Sequence, residues 1–562
     1  MTTRPPTGNT PGGINGSQGV SDGSHIWNGS GPRNASAPPH RALDESILER
    51  LAADPYGLLD KVLAAGGQGE SAGRSRQSGS ESGHSYHRDS IQRPGPDYAA
   101  AVPPQLSDLQ TGDSMTDVGS ASPTATGVQP YLAVSEAPSF YFIDERPADP
   151  GLVPGSPPSQ PAFDVESVRR DFPILAERVN GGQLIWLDNA ATTQKPQAVI
   201  DRLTHYYSHE NSNVHRGAHA LAARATDAYE DARCSIAGYI GAALPESVIF
   251  TRGTTEGINL VAQTWGHKHV RPGDEIVVSH LEHHANIVPW QQLAQKAGAT
   301  LRVIPVDDDG QLDLARFEAL LGARTRLVAI AHVSNVLGTV VPVREIIEAS
   351  HHAGARVLVD GAQAAAHVPV DVRALDVDFY AFSGHKVYGP TGIGALYAKP
   401  EILEETPPWQ GGGNMIKDVT FERTLYQSSP TKFEAGTGSI ADAIGLAAAL
   451  SYVSCLGLSD IVSYERHLLD YAAGQMSSVP GLRLIGTAPH KASTLTFVLR
   501  GHRPEAIGAA LDRQGIAVRA GHHCAQPILR RYGLEAAVRP SLAMYNTRAE
   551  IDALVHALRH LS

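Results

Sequence analysis

From about residue 163 to the C-terminus, short apolar runs alternate with segments of helical periodicity, and that alternation leaves few architectures open. Candidate strands are Leu184–Leu187, Ser247–Thr251, Glu275–Ser279, Leu301–Pro305, Arg326–His332, Arg356–Asp360 and Phe379–Ser383. Between several of them apolar residues recur at helix spacing, as in Asn286–Ala297 and Leu314–Leu321. Strand–helix alternation of this kind argues for a largely parallel α/β sheet. The stretch 440–562 reads as helices and a few strands after the sheet, forming a smaller α+β lobe. The expected division is 1–160, 161–439 and 440–562.

Residues 1–160 differ in kind. They are rich in Gly, Pro, Ser, Asn and Gln, and stretches such as Thr7–Gly23, Gly66–Gly83 and Gly119–Gln129 carry almost no large apolar side chains. Such a segment cannot bury enough apolar surface to offset its backbone entropy and is expected to be disordered. Two islands interrupt it. In residues 42–65, Leu43, Ile47, Leu48 and Leu51 share a helical face, Pro55 breaks the pattern, and Leu58, Leu59, Val62 and Leu63 make a second face. The other is the aromatic cluster Ser139–Asp144. Both read either as noise in a linker or, preferred here, as short docking motifs that order against a partner.

The whole chain narrows the partners. A formal net charge of −12 argues against nucleic acid or an anionic membrane as the main partner. No run approaches the ~20 apolar residues that span a bilayer, and the first thirty residues show no secretory h-region. The three cysteines, Cys234, Cys455 and Cys524, form no CxxC pair, so neither a zinc site nor a disulfide framework is expected. A reducing, cytoplasmic setting fits, and it leaves a lone thiol free to react.

Polar residues gather where apolar strands end, the place where open α/β sheets collect ligands. Arg356–Asp360 ends in an aspartate, followed by Gly361-Ala362-Gln363; Phe379–Ser383 is followed by Gly384-His385-Lys386. A lysine after one buried strand and an aspartate after another suit pyridoxal phosphate: the amine attaches to the aldehyde, and the carboxylate keeps the ring nitrogen protonated. Gly253-Thr254-Thr255-Glu256-Gly257 follows a strand and opens a helix, offering backbone N–H groups and the Thr255 hydroxyl to a phosphate. Ser383 and His385 add donors, and the segment Ser279–Trp290 supplies an imidazole able to lie over the ring. Each piece also has a plain reading: a polar loop, a capped helix, or a surface patch of His280, His283 and His284. Gly389–Gly394 has the wrong glycine spacing for a dinucleotide loop. Together, in this order, they favour the cofactor, and no metal is expected.

These motifs resemble the group II, SUF-type cysteine desulfurases of the aminotransferase class V family. The resemblance rests on LDNAATTQKP, NVHRGAHALA, RGTTEGINLVAQTWG, LEHHANIVPWQ, HVSNVLGT, VLVDGAQA, FYAFSGHKVYGPTGIG, PPWQGGGNMI, FEAGT, RAGHHCAQP and SLAMYNT, spread over about residues 163–562. It implies a fold type I transferase with a large, mostly parallel sheet domain and a smaller C-terminal domain carrying the cysteine loop. By that resemblance Lys386 holds pyridoxal 5′-phosphate, Asp360 faces the ring nitrogen, Gln363 the ring 3′-oxygen, and His283 stacks on the ring. Thr255, Ser383 and His385 meet the phosphate, and Thr437 reaches the phosphate of a neighbouring subunit, although Gly438 stands where a proline is common. Asn335 and Arg539 take the substrate carboxylate, the arginine as a fork. Arg519, His215, Ala190 and Ala191 fall at further substrate positions.

Cys524, in Arg519–Ala525, matches the cysteine that accepts sulfur; flanking Gly521, His522 and His523 suggest a polar loop, where cationic neighbours would favour a thiolate. Cys234 and Cys455 sit in helical, apolar contexts and read as packing residues. The resemblance implies conversion of L-cysteine to L-alanine by a homodimer that passes sulfur to a SufE- or SufU-like protein or a small thiol. Residues 1–160 resemble the extensions of desulfurases carried as cargo in family 2 encapsulin shells, with Ile47–Ala52 and Phe140–Ile143 as the matching motifs. Selenocysteine lyase, and a SUF-pathway desulfurase outside any shell, are the alternatives.

Overall fold

The computed structural model describes residues 163–214 and 217–562; His215 and the islands at 42–65 and 139–144 lie outside the described residues. Among the described residues, a seven-stranded sheet forms the centre. Its strands are β1 (Val248–Thr251), β2 (Glu275–Ser279), β3 (Thr300–Ile304), β4 (Thr325–Ala331), β5 (Arg356–Asp360), β6 (Phe379–Ser383) and β7 (Gly394–Ala398). Across the sheet the order is β1-β7-β6-β5-β4-β2-β3. Pairing is parallel from β3 through β2, β4 and β5 to β6, and β7 runs antiparallel to both β6 and β1.

Both faces of this sheet are covered, which is why its strands read as continuous apolar runs. Successive residues go to opposite faces. Val357 and Val359 of β5 enter one core, with Val328, Ile330, Tyr380 and Phe382; Leu358 enters the other, with Leu327, Ala329, Phe379 and Ala381. Each such buried side chain contributes roughly 1.5–3 kcal/mol, so the register that leaves Asp360 at the strand's end is firmly set. The edge strand β3 is half exposed, and its Arg302 pairs with Glu275 at 2.8 Å.

The covering helices are α1 (Gln197–His209), α2 (Ala220–Tyr239), α3 (Thr254–Val261), α4 (Val288–Ala297), α5 (Leu314–Leu320), α6 (Val343–His352), α7 (Ile440–Leu456) and α8 (Leu458–Ser477). Helix α7 is apolar nearly all round because it lies between α1 and α2 and the sheet. Gly457, at φ 84°, turns the chain from α7 into α8. Residues 416–426 form a hairpin of β8 (Ile416–Val419) and β9 (Thr424–Tyr426), with Phe421 fully exposed at its tip.

The C-terminal stretch carries an antiparallel sheet, β10 (Leu482–Ile485), β11 (Thr496–Leu499), β12 (Arg519–Gly521) and β13 (Ala537–Arg539), in the order β10-β11-β13-β12. It packs on α8 and on the helices Pro504–Asp512 and Arg548–Arg559.

Two sequence expectations are corrected here, and one strand is added. The run Leu184–Leu187 is outside the central sheet; Ile185–Trp186 pairs in parallel with Ile516–Ala517. Strand β7, Gly-Ala-Leu-Tyr-Ala, takes a place in the sheet that is missing from the candidate strands read from the sequence. Cys234 and Cys455 do not pack inward: both are exposed, because Ala232, Arg233 and Ile236 on α2, and Val453 on α7, occupy the inward faces beside them.

Candidate active site

The carboxyl ends of the parallel strands share one edge of the sheet, and each delivers a polar residue there. Strand β5 ends in Asp360 and β6 in Ser383, from which a single 3-10 turn leads to Lys386. Strand β2 leads into the loop with His283, and β4 into the loop with Asn335. Strand β1 runs through Gly253 into α3. From the opposite side come Ala190, Ala191, the β12–β13 pair with Arg519 opposite Arg539, and Cys524. Together with Thr255, Gln363 and His385 these residues line one cavity of about 220 Å³.

The strand-to-helix turn at Gly253 is tight. Its φ is 138°, and a Cβ there would lie 3.0 Å from Ser383 Oγ. Ser383 Oγ accepts the Thr254 N–H at 2.9 Å and lies 2.8 Å from Thr254 Oγ1. Helix α3 has no side-chain cap, so its first turn presents N–H groups to whatever anion lies there. Gly361, after Asp360, is required differently: a Cβ would fall 2.2 Å from the Tyr380 ring.

Burial tunes the charges. It holds the Lys386 amine down at about 8, against the pull of the Asp360 carboxylate. It raises the Asp360 carboxyl, opposed by the Ala362 N–H, which donates to Oδ1 at 2.9 Å, and by Lys386. His283 is pushed down to about 3 by burial and then by Lys386; its Nδ1 accepts the Ala285 N–H at 3.0 Å, leaving a neutral ring. His385 falls to about 4 by burial, with Lys386 and Lys195 adding to it.

Arg539, fully buried, donates from Nη1 to the Asn335 carbonyl at 2.7 Å and from Nη2 to Asp188 Oδ1 at 3.2 Å. Its Nε and the Asn335 Oδ1 are buried without a partner. Gln363 Nε2 donates to the Ala190 carbonyl at 2.7 Å. Arg519 is half exposed and lies 3.7 Å from Asp188 Oδ2.

Cys524 is exposed, and both it and His523 have left-handed backbone, at φ 54° and 53°. Thr437 is the predicted residue placed elsewhere: it lines a separate hollow with Arg252, Glu256 and Trp409, its Oγ1 3.4 Å from Asn213 Oδ1.

Sequence reasoning missed Asp188, which ties both arginines together; an acidic residue ending an apolar run was its one signal. It also missed Glu282. That carboxyl is fully buried, pushed up to about 8 by burial, and bonded to Ser279 Oγ at 2.5 Å, Asn286 Nδ2 at 2.6 Å and the Ala331 N–H at 3.1 Å. Nothing in its local sequence marks it.

The cavity fits pyridoxal phosphate on these observations. Lys386 Nζ has no hydrogen bond or ion pair with any described residue, a carboxylate stands near it, and the uncapped helix start with Ser383 beside it suits a phosphate.

The aminotransferase class-V family model matches residues 185–554. A protein of Mycolicibacterium paratuberculosis named a probable cysteine desulfurase is 60% identical over 454 residues, covering 81% of this chain; the chain spans 65% of that relative's length. The cysteine desulfurase of Synechococcus elongatus is 58% identical over 461 residues, 78% of this chain and 74% of its own. The crystal structure of the Escherichia coli cysteine desulfurase CsdA, in an S-sulfonic acid form, matches with a TM-score of 0.66 at 41% identity, over 71% of this chain and 98% of that one. The sheet order, the lysine after β6 and these matches converge on one conclusion: the chain has the fold type I architecture and belongs to the aminotransferase class-V family, among its pyridoxal-phosphate-dependent cysteine desulfurases.

Proposed function

We propose that this chain converts L-cysteine to L-alanine and holds the released sulfur as a persulfide on Cys524. The observation that carries the reading is a single cavity lined by Lys386, Asp360, His283, Arg539 and Cys524. Pyridoxal phosphate, when bound, supplies an electron sink for the substrate's α-carbon.

Lys386, Asp360, Gln363, His283, Thr255, Ser383 and His385 would hold that coenzyme. The Arg539 guanidinium, with a free Nε, takes the substrate carboxylate beside Asn335, and Arg519, Ala190 and Ala191 border it. The Lys386 amine, brought down to about 8 by burial, is still basic enough to take the α-proton and reaches its neutral, proton-accepting form far more readily near neutral pH than an ordinary lysine. Cys524 thiolate attacks the substrate sulfur. The S–S bond forms as the C–S bond breaks, its electron pair stays with carbon, and protonation there gives alanine. Cys524→Ser is expected to keep the coenzyme and stop alanine formation; a serine variant with full activity would overturn the assignment.

The finer reading is a group II, SUF-type enzyme. Homodimerisation is supported by the exposed Trp409, Val419, Phe421, Leu425 and Tyr426 near the hairpin, and by Thr437 standing apart from its own chain's cavity. The names of the relatives favour cysteine over selenocysteine. A SufE- or SufU-like protein or a small thiol would then take the sulfur in the cytoplasm. Residues 1–160 are assigned to packaging in an encapsulin shell, on their Ile47–Ala52 and Phe140–Ile143 motifs. Deleting them should spare desulfurase activity and end co-purification with a shell; continued co-purification would refute the packaging.

A further inference from the structure

The loop that carries Cys524 is held from outside by one residue that no step above uses, His284. Its backbone N–H donates to the Cys524 carbonyl at 2.8 Å. Its ring Nε2 accepts the N–H of Gln526 at 3.3 Å. That ring lies over the His522 ring, 5.8 Å between centroids and 28° between planes, and His522 Nδ1 in turn accepts the Cys524 N–H at 3.0 Å. The loop is therefore gripped directly after the thiol, at the Cys524 carbonyl and the Gln526 amide, and steadied before it by the His522 ring. His284 directly follows His283, so one short turn after β2 serves both the cavity and the loop.

We propose that His284 is a positioning residue: its ring acceptor latches the Cys524 loop in the left-handed conformation that faces the thiol toward the cavity. The inference rests on the reading of Cys524 as the sulfur acceptor. Nε2 must be unprotonated to accept, so Nδ1 carries the ring proton. Burial and the neighbouring His522 both hold the ring below its ordinary range, which keeps it neutral at physiological pH. Because the backbone contact survives any substitution at 284 except proline, the side chain's share is the Gln526 bond and the ring stack.

The test uses the coenzyme-loaded enzyme. His284→Ala removes acceptor and ring. His284→Phe keeps the ring and its packing and removes only the acceptor. His284→Gln restores an oxygen three bonds from Cβ, where Nε2 stood. Hydrogen exchange of the 522–526 amides is expected to quicken about fivefold in the Ala and Phe variants, the factor that one ordinary net hydrogen bond represents. It should return toward the native rate in the Gln variant. Alanine formation should fall in kcat by a similar factor, with KM for cysteine unchanged. Native exchange rates in both the Ala and Phe variants, or a Gln variant as fast as Ala, would overturn the latch. Faster exchange with undiminished alanine formation would uphold the latch and sink Cys524 as the acceptor, so the two ideas fail separately.

Discussion

Replacing Arg539 by alanine tests the substrate side of the cavity. The guanidinium is fully buried and uses Nη1 on the Asn335 carbonyl and Nη2 on Asp188, which leaves Nε and the remaining Nη hydrogens for a carboxylate. A hydrogen bond to a charged group contributes about 1.5–3 kcal/mol. Losing roughly 3 kcal/mol of carboxylate binding lowers kcat/KM on the order of a hundredfold. A second cost falls on the fold. Breaking a buried pair costs about 3–5 kcal/mol, but Asp188 is 19% exposed and keeps Arg519 at 3.7 Å, so about 2–3 kcal/mol is expected. The assay is alanine formation against cysteine concentration. KM should rise by most of that factor, kcat should change less, and the visible absorbance of bound coenzyme should persist. Cysteine methyl ester, which has no carboxylate to hold, should be handled almost equally by variant and parent. A folded, coenzyme-loaded Arg539→Ala variant with unaltered KM for cysteine would refute the assignment.

Three further outcomes follow from the same geometry. Lys386→Ala should abolish the coenzyme's visible band and cut alanine formation by about 10²–10⁴, the range for a lost general base, read by spectrum and product assay. Glu282→Ala should orphan the Asn286 amide and the Ala331 N–H, take the acceptor from the Ser279 O–H, and lower the unfolding free energy by roughly 3 kcal/mol in a denaturant titration. Acid should destabilise the coenzyme-free protein. Burial lowers His283 and His523 to about 3 and His332 and His385 to about 4, so the unfolded chain takes protons first, and stability present above pH 6.5 is lost as pH falls toward 4. Glu282, raised to about 8, and the Asp360 and Asp188 carboxyls, also raised by burial, work the other way and gain stability as pH falls, but these three face eight histidines that burial lowers. A thermal midpoint at pH 5 equal to that at pH 7.5 would contradict this balance.

What the sequence disclosed, and what it hid, divides along one line. Asp360 and Lys386 were legible because each ends or follows an all-apolar run, and a strand's end is a local property. Strand β7 was hidden because Gly394 and two alanines carry little apolar signal, and only the pairing with β6 and β1 makes them a strand. Cys234 and Cys455 were misread because an apolar helix context does not say which side of the helix a residue faces. Asp188 was hidden because its partner Arg539 is 351 residues away, and Leu184–Leu187 because its pairing partner is Ile516–Ala517. Glu282 looks like one more charge among histidines until Ser279, Asn286 and Ala331 close around it.

The Cys524 loop shows how these parts balance. Two adjacent left-handed residues cost roughly 1–2 kcal/mol each, somewhat less for His523, whose residue type visits that region more readily. Against this stand the bonds from His284 N–H to the Cys524 carbonyl, Asn335 Nδ2 to the His523 carbonyl at 2.8 Å, Cys524 N–H to His522, Gln526 N–H to His284, and His523 Nε2 to the Ala537 carbonyl at 3.0 Å. Each is worth about 0.5–1.5 kcal/mol net. The supports exceed the strain by only a few kcal/mol. On the sulfur transfer proposed above, the Cys524 thiol meets a substrate inside the cavity and then an acceptor outside it; that needs this narrow margin, since a more strongly held loop would keep its sulfur and an unheld one would rarely face the substrate.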